Sequence, residues 1–389
     1  MQVTAPPTLA QTIPGVTHGL TVETVTDEQT FLRLQGEWDD AVDRAQIGHP
    51  FLCHDWIRTW WECFGEGAEL HVIVVRAGGQ IVAIAPLLFE RTRMYGMPVR
   101  RLRLMQNDHS PRADFIVADY ASQAYHAIWT ALFDERHNWD VMLLSQLPPQ
   151  TVTVQFVKGL ASADGCATGI WRGGSSPYLP IAGTEGDYFA GLSAKFRQNL
   201  RNRMTRLTRV GKPALEIVSD TSLSEAVGDA IRLEESGWKR DAGTAISTDL
   251  KIRQFYMRLA ARMADRGWLR LMFLNVSGRR IATSYSIEHD RRLFLCKTGY
   301  DPEYNTCSPF KLLMHFIVRY AYAEGATEID LLGDTEPWKE EWTEASRQHN
   351  WLFVFSNTNR ARLLYPLKFQ LVPAVKRTGV VDLLLNSNS

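Results

Sequence analysis

The sequence predicts a mixed α/β protein made of two successive units of the same plan. Its 389 residues suffice for two domains with sizeable cores. Each half carries a glycine turn between two alternating runs, Gly78-Gly79 in the first and Ser277-Gly278 in the second, the signature of a β-hairpin. Both halves also follow one order: helices, hairpin, strand, helix, strand. No identity repeats between them, so the tandem reading rests on pattern. The expected divisions are a mobile tail over residues 1–18, a first unit over 19–175 and a second over 176–389.

In the first unit a short strand at 20–25 precedes a helix from Asp27 to about Arg44. A tryptophan-rich helix follows near 51–64, then hairpin strands at 70–76 and 80–90. A strand near 99–105, a helix near 121–133 and a strand at 140–145 come next. Pro148-Pro149 breaks the chain before a helix near 152–163. A glycine-rich turn at 173–177 introduces the second unit.

There, 185–210 reads as one long helix. Phe189, Leu192, Phe196, Leu200, Met204 and Leu207 lie within about a third of its circumference, an apolar stripe. A strand at 214–219 and helices at 222–240 and 249–266 follow. Hairpin strands at 268–276 and 280–288 lead to a strand at 292–300, a helix at 309–325 and a strand at 328–332. A strand at 351–356 and an amphipathic C-terminal helix close the chain.

Composition narrows the functional classes. Apolar content of 45% and charged content of 22% are those of an ordinary soluble protein. The 43 basic residues equal the 43 acidic ones, which argues against duplex nucleic acid as the main ligand. No stretch approaches the ~20 apolar residues of a membrane span. The N-terminus lacks the basic and apolar segments of a signal peptide, so a cytoplasmic location is expected. The five cysteines, Cys53, Cys63, Cys166, Cys296 and Cys307, are odd in number and never spaced C-x-x-C; reduced thiols are the expectation.

The chemistry-bearing residues concentrate in 291–342. Ser308-Pro309 opens a helix; serine caps free amides, proline suits the first helical position, and the exposed amides with the helix dipole can receive a phosphate. A capped helix that binds nothing explains the same pair. Asp330 falls in a short apolar strand, where a carboxylate needs a partner; Lys339 is the nearest candidate, and a structural ion pair is the alternative. Tyr300, Asp301 and Tyr304 sit where strand meets loop, and a tyrosine there can protonate a leaving thiolate or simply pack. Lys195, Arg197, Arg201, Arg203, Arg206 and Arg209 share one helix with no acid after Asp187, either a solvated face or a contact for a polyanion. Asp108-His109-Ser110 follows a strand and could face a cleft. His49, Cys53 and His54 mimic metal spacing without a second ligand cluster, so core or cap roles are expected, and no metal. The chain holds no P-loop, G-x-S-x-G or dinucleotide fingerprint.

With these residues in view, the chain resembles the CelD-type acyltransferases. These are a branch of the GNAT (Gcn5-related) superfamily found near bacterial cellulose and exopolysaccharide genes. The similarity runs over nearly the whole chain. It is carried by FLCHDWIRTWWECFG with IAPLL, by LSAKFRQNLRNRMTRL, and by GWLRLMFLNVSGRRIA. GYDPEYNTCSPFKLLM and IDLLGDTEPWKEEW are the most specific segments. The resemblance implies tandem GNAT-like units, each a mixed, mostly antiparallel sheet flanked by helices with a splayed parallel strand pair. It implies an acyl-CoA donor lying between strands 292–300 and 328–332. The acyl group would lie near Thr298, Gly299 and Tyr300, and the pyrophosphate near Thr306, Ser308, Phe310 and Lys311. Attack by an amine or hydroxyl of a small-molecule or saccharide acceptor would be direct. Asp330 and Lys339 would form the polar centre, with Tyr304 second, and the polysaccharide synthesis machinery would be a partner.

One departure stands out. The GNAT pyrophosphate loop usually reads Q/R-x-x-G-x-G/A, whereas residues 304–310 here contain no glycine. Two alternatives therefore accompany the acyl-CoA reading. Fem-type peptidyltransferases share the tandem fold but use aminoacyl-tRNA, which the basic segment 195–209 would suit. A non-catalytic GNAT-like scaffold for a polysaccharide synthase is the other.

Overall fold

The computed structural model describes residues 11–12, 19–219, 223–236 and 249–371. Apart from residues 11–12, the tail at 1–18 lies outside them, as do the end of the expected 222–240 helix and the last part of the C-terminal helix.

The first half contains β1 (Gln11–Thr12), β2 (Leu20–Val25), α1 (Glu28–Arg33), α2 (Gln35–Arg44), α3 (His54–Phe64), β3 (Glu69–Ala77), β4 (Gln80–Met94), β5 (Met97–Leu104), β6 (Ile116–Val117), α4 (Ala121–Asp134), β7 (Val141–Leu147) and α5 (Thr153–Ala163). β8 (Ala167–Pro180) leads into the second half, which contains α6 (Glu185–Gly191), α7 (Ala194–Val210), β9 (Pro213–Val218), α8 (Leu223–Glu235), α9 (Leu250–Asp265), β10 (Leu269–Val276), β11 (Arg279–His289), β12 (Arg292–Tyr300), α10 (Pro309–Ala323), β13 (Glu328–Asp330), α11 (Pro337–Glu340), β14 (Ser346–Phe355) and α12 (Asn359–Pro366).

The fourteen strands of the described residues join in one sheet, in the order β1-β2-β3-β4-β5-β7-β14-β8-β13-β12-β11-β10-β9, with β6 on β4. Each half repeats an antiparallel ladder that ends in one parallel pair, β5 with β7 and β12 with β13. β14, from the C-terminal end, pairs with β7 and β8, while the end of β8 pairs with β13. The halves are thus stitched at the seam by an exchange of strands. Residue 175, the expected boundary, lies inside β8.

The glycine-rich segment 173–177, expected as a turn, is part of β8. A Cβ at Gly173 would collide with the Trp351 indole, and one at Gly174 with the Asp334 carboxylate. These glycines permit close approach to a neighbour and do not mark a reversal. The expected 185–210 helix is two helices. Leu192 is extended, and Ser193 starts α7 by accepting the Phe196 N–H at 3.2 Å. The helix expected at 27–44 likewise breaks at Leu34.

Three main cores fill the layers. One joins the halves: Trp38, Trp56 and Trp60 pack with Phe255, Leu259 and Phe294 between α2, α3, α8 and α9. Phe51 meets Phe294 edge-on at 5.5 Å, and Trp56 meets Phe255 at 5.8 Å. The second core lies under α4 and α5, the third under α7 and α10. His54 and Cys53 belong to the tryptophan core; His54 Nε2 lies 3.0 Å from the Phe31 carbonyl. All five cysteines are free thiols. Among the described residues, no helix is long and apolar enough to cross a membrane.

Candidate active site

β12 and β13 pair over three residues only, Arg292 with Glu328, Leu293 with Ile329 and Phe294 with Asp330. Beyond that point they part. β13 ends early, at Asp330 and not at Leu332, although the Leu331 N–H still donates to Pro177 in β8 at 3.0 Å. Leu332 then adopts a left-handed conformation (φ 50°), followed by Gly333 at φ 57°. A left-handed leucine is uncommon and is held only where its surroundings enforce it. The parting leaves the β12 edge from Leu295 onward without a strand partner, facing a cavity of about 410 Å³.

The cavity walls come from four places. Thr298, Gly299 and Tyr300 of β12 form one side, and Ser308, Phe310 and Lys311 at the start of α10 form another. Leu332, Gly333 and Lys339 close a third. The fourth combines Glu234 of α8 and Tyr256 of α9 with Asp108 and His109 from the first half. Asp108 and His109 of the polar cluster at 108–110 therefore do reach a cleft, which belongs to the other half, while Ser110 is buried and accepts the Trp56 indole N–H at 2.8 Å. Of the expected site residues, Thr298, Gly299, Tyr300, Ser308, Phe310, Lys311 and Lys339 all line it. Tyr304 and Thr306 do not. The Tyr304 ring lies under the Arg279 guanidinium, and the Thr306 carbonyl accepts from Arg206 at 3.3 Å.

Asp330 is fully buried beneath the cavity, at 0% exposure. The expected partner was Lys339; the structure instead pairs Asp330 with Arg112 of the first half and with Arg347 of β14 at 3.4 Å. Arg347 also binds Glu328, so two guanidiniums and two carboxylates balance there. Lys339 donates to the Leu332 carbonyl at 2.7 Å and the Asp334 carbonyl at 2.8 Å, and pairs with Glu336 at 3.0 Å. These three contacts account for all its N–H groups. Asp330 meanwhile accepts the Leu332 N–H at 3.0 Å. Both residues therefore grip the same left-handed turn, one by its amide and one by its carbonyl.

The helix start differs from expectation too. Ser308 is left-handed (φ 49°), and its side chain caps nothing. Its carbonyl accepts the Lys311 and Leu312 amides at 3.0 and 3.3 Å. Pro309 has no N–H, and among the described residues no hydrogen-bond acceptor meets the Phe310 amide. Lys311 lines the cavity while paired with Glu341.

Electrostatics keep most of the wall neutral. Burial, with Lys297 nearby, pushes His109 down to about 4, and its Nδ1 lies 3.3 Å from the Tyr256 hydroxyl. Burial also raises Tyr256, and burial together with Asp330 raises Cys296 far above the usual thiol range. A thiol so held is a poor nucleophile. The charged groups of this wall include Asp108 and Glu234, the latter 1% exposed, with Lys297 at 3.8 Å from Glu234.

Sequence reading passed over Arg112, Arg347, Glu234, Tyr256 and Lys297. Glu234 had a signal: Val227, Ile231 and Glu234 recur at helical spacing, placing an acid on an apolar stripe. Arg112 had none, since its partner lies 218 residues away.

Comparison with known proteins bears on the domain and the fold. Residues 194–340 match the acetyltransferase (GNAT) domain family. The match runs from α7 to α11 and includes both parted strands. Among solved structures, FemX superposes with a TM-score of 0.59 at 13% identity, covering 86% of this chain and 98% of its own. The C-terminal DUF2156 domain of an Agrobacterium fabrum protein described as a lysylphosphatidylglycerol synthetase gives 0.52 at 12% identity, covering 87% and 96%. A Bacteroides thetaiotaomicron protein of unknown function gives 0.51 at 9%, covering 83% and 97%. At these identities the likeness is one of fold. No curated protein is detectably similar in sequence.

Proposed function

We propose that the GNAT domain transfers an acyl group from acyl-CoA to an amine or hydroxyl of a small acceptor by direct attack. The observation that carries this reading is the cavity at the parting of β12 and β13, inside the segment that matches the acetyltransferase family. The free β12 edge at Thr298–Tyr300 would receive the acyl thioester, and the Phe310 amide with Lys311 its phosphates. Glu234 is the candidate proton acceptor for the acceptor group. The acceptor's nitrogen or oxygen bonds to the acyl carbon, the carbon–sulfur bond breaks, and the thiolate leaves to take a proton from water. Asp330 and Lys339 act through the Leu332–Gly333 turn, as positioning residues. Tyr304 lies off the cavity and receives no role. A place in cellulose or exopolysaccharide assembly, beside its synthesis machinery, rests on the sequence resemblance.

The helix start favours a second reading. With only the Phe310 amide unclaimed at the helix start among the described residues, and no glycine in the loop, a donor diphosphate finds a poor cradle. An aminoacyl ester of tRNA would need no such cradle. One experiment separates these readings: thermal denaturation with coenzyme A, acetyl-CoA and longer acyl-CoAs, with Lys311→Ala beside the parent. A ligand at ~100 times its Kd adds about 2.7 kcal/mol, so the acyl-CoA reading expects a rise of several degrees that Lys311→Ala weakens. No shift at millimolar ligand removes acyl-CoA and leaves aminoacyl-tRNA, or a scaffold without catalysis, to be tested next.

A further inference from the structure

The basic helix α7 takes no part in the cavity described above, yet its environment is unusual. Lys195, Arg197, Arg201, Arg203, Arg206 and Arg209 all lie on it, and among the described residues none forms a salt bridge, although arginines elsewhere in the fold commonly do. Arg197 bonds to the Ala190 carbonyl and Arg201 to the Gln198 amide oxygen at 2.7 Å, both neutral partners. The charge is local, since the whole chain is neutral.

Between α7 and α10 runs a groove of about 650 Å³, a size typical of small-molecule sites. Leu200, Met204, Leu312 and Phe189 line it, and Arg197 and Arg201 also border it, one helical turn apart. No acid lines it. The groove lies beside the cavity and apart from it: Lys311 faces the cavity, while Leu312 and His315 on the same helix face the groove.

We infer that the α7–α10 groove binds an anionic amphiphile, an alkyl chain bearing a phosphate, with Arg197 and Arg201 holding the head. The lining chooses between the occupants that such charge attracts. A nucleic-acid strand needs open aromatic faces for its bases. The groove's one phenylalanine, Phe189, already packs on His315 at 4.8 Å and Tyr188 at 5.3 Å. Its other apolar surface is aliphatic, which suits an alkyl chain at about 0.8 kcal/mol per buried methylene. A flat bilayer could reach the arginines but not the floor. Paired guanidiniums suit a phosphate, through bidentate charge-assisted bonds.

The test is calorimetric titration of the full chain with decyl phosphate, kept below micelle formation, against decyl maltoside and inorganic phosphate. Decyl phosphate should bind at micromolar concentration, and both controls at least tenfold more weakly. Arg197→Ala/Arg201→Ala should cost at least tenfold, and Met204→Glu, which sets a carboxylate on the groove wall, should abolish binding. The circular dichroism of each variant should match the parent. Three results overturn the inference: no binding of decyl phosphate at millimolar concentration, equal binding by the double variant, or tight arginine-dependent binding of a twelve-nucleotide single-stranded RNA in place of decyl phosphate. None depends on the acyl-CoA reading, which the donor melting experiment tests on its own.

Discussion

At the residue scale the decisive feature is a carboxylate with two guanidiniums in the dry. Asp330 is held by Arg112 and Arg347 and spends its other oxygen on the Leu332 amide. A buried ion cluster gives little net stability when whole, because desolvation offsets attraction, but breaking one member leaves charge uncompensated at a cost of about 3–5 kcal/mol. Arg112→Ala and Asp330→Ala should therefore each destabilise by roughly that amount. The double variant should cost well under their sum, a coupling of at least ~2 kcal/mol in urea denaturation. Additive losses would show that the pair is not the unit described here. Under the proposed chemistry Asp330→Ala should also abolish acyl transfer, because the left-handed turn loses its amide anchor; a scaffold would keep its partner binding.

Elements explain what the sequence could and could not disclose. The hairpins at Gly78-Gly79 and Ser277-Gly278 were legible because turn chemistry is local. So was the helix after Pro309. The parting strands and the cavity-lining residues Thr298, Gly299, Tyr300, Ser308, Phe310 and Lys311 were named through family resemblance. Three things were hidden because they depend on distant neighbours. Gly173 and Gly174 read as a turn until Trp351 and Asp334 are seen against them. Ser308 read as a cap, although its backbone is left-handed and its side chain caps nothing. The Asp330–Lys339 pair was drawn from proximity in sequence, while the true partners come from other elements. Gly299 also has a role beyond the donor. A Cβ there would fall on the backbone of Leu233 and Glu234, where α8 crosses β12. Gly299→Ala should therefore push α8, with Glu234, off the strand and destabilise by about 1–3 kcal/mol. A melting temperature equal to the parent's would mean that α8 yields without cost, and that the close approach is not required.

At the scale of the whole molecule, a single sheet and a shared tryptophan core bind the halves into one body, and that body buries titratable groups that respond to acid. Burial holds His71, His109 and His349 each near about 4, with Arg112 adding to the effect at His349. The Glu135 carboxyl, 3.5 Å from His71, is itself raised by burial and so does little to keep a proton on that ring. Because these folded values lie below the unfolded ~6.5, their contribution is present above pH 6.5 and lost as pH falls. From pH 7 to 5 each costs about 2 kcal/mol. Asp114 runs the other way. Burial raises it to about 6, above its unfolded ~3.9, so its contribution is present below pH 3.9 and lost as pH rises through 6. Acidification from pH 7 to 5 therefore returns about 1.4 kcal/mol. The histidines win: these four groups together cost roughly 4 kcal/mol between pH 7 and pH 5, and burial depresses His49, His54, His289 and His315 in the same direction, so urea midpoints should fall across that range. His71→Gln should remove about 2 kcal/mol of that loss, roughly half of the four groups' share of the slope, whereas Asp114→Asn should steepen it. A midpoint that stays flat to pH 5, or a His71→Gln slope equal to the parent's, would mean that these rings are protonated in the folded chain and that their surroundings are wetter than the packing indicates.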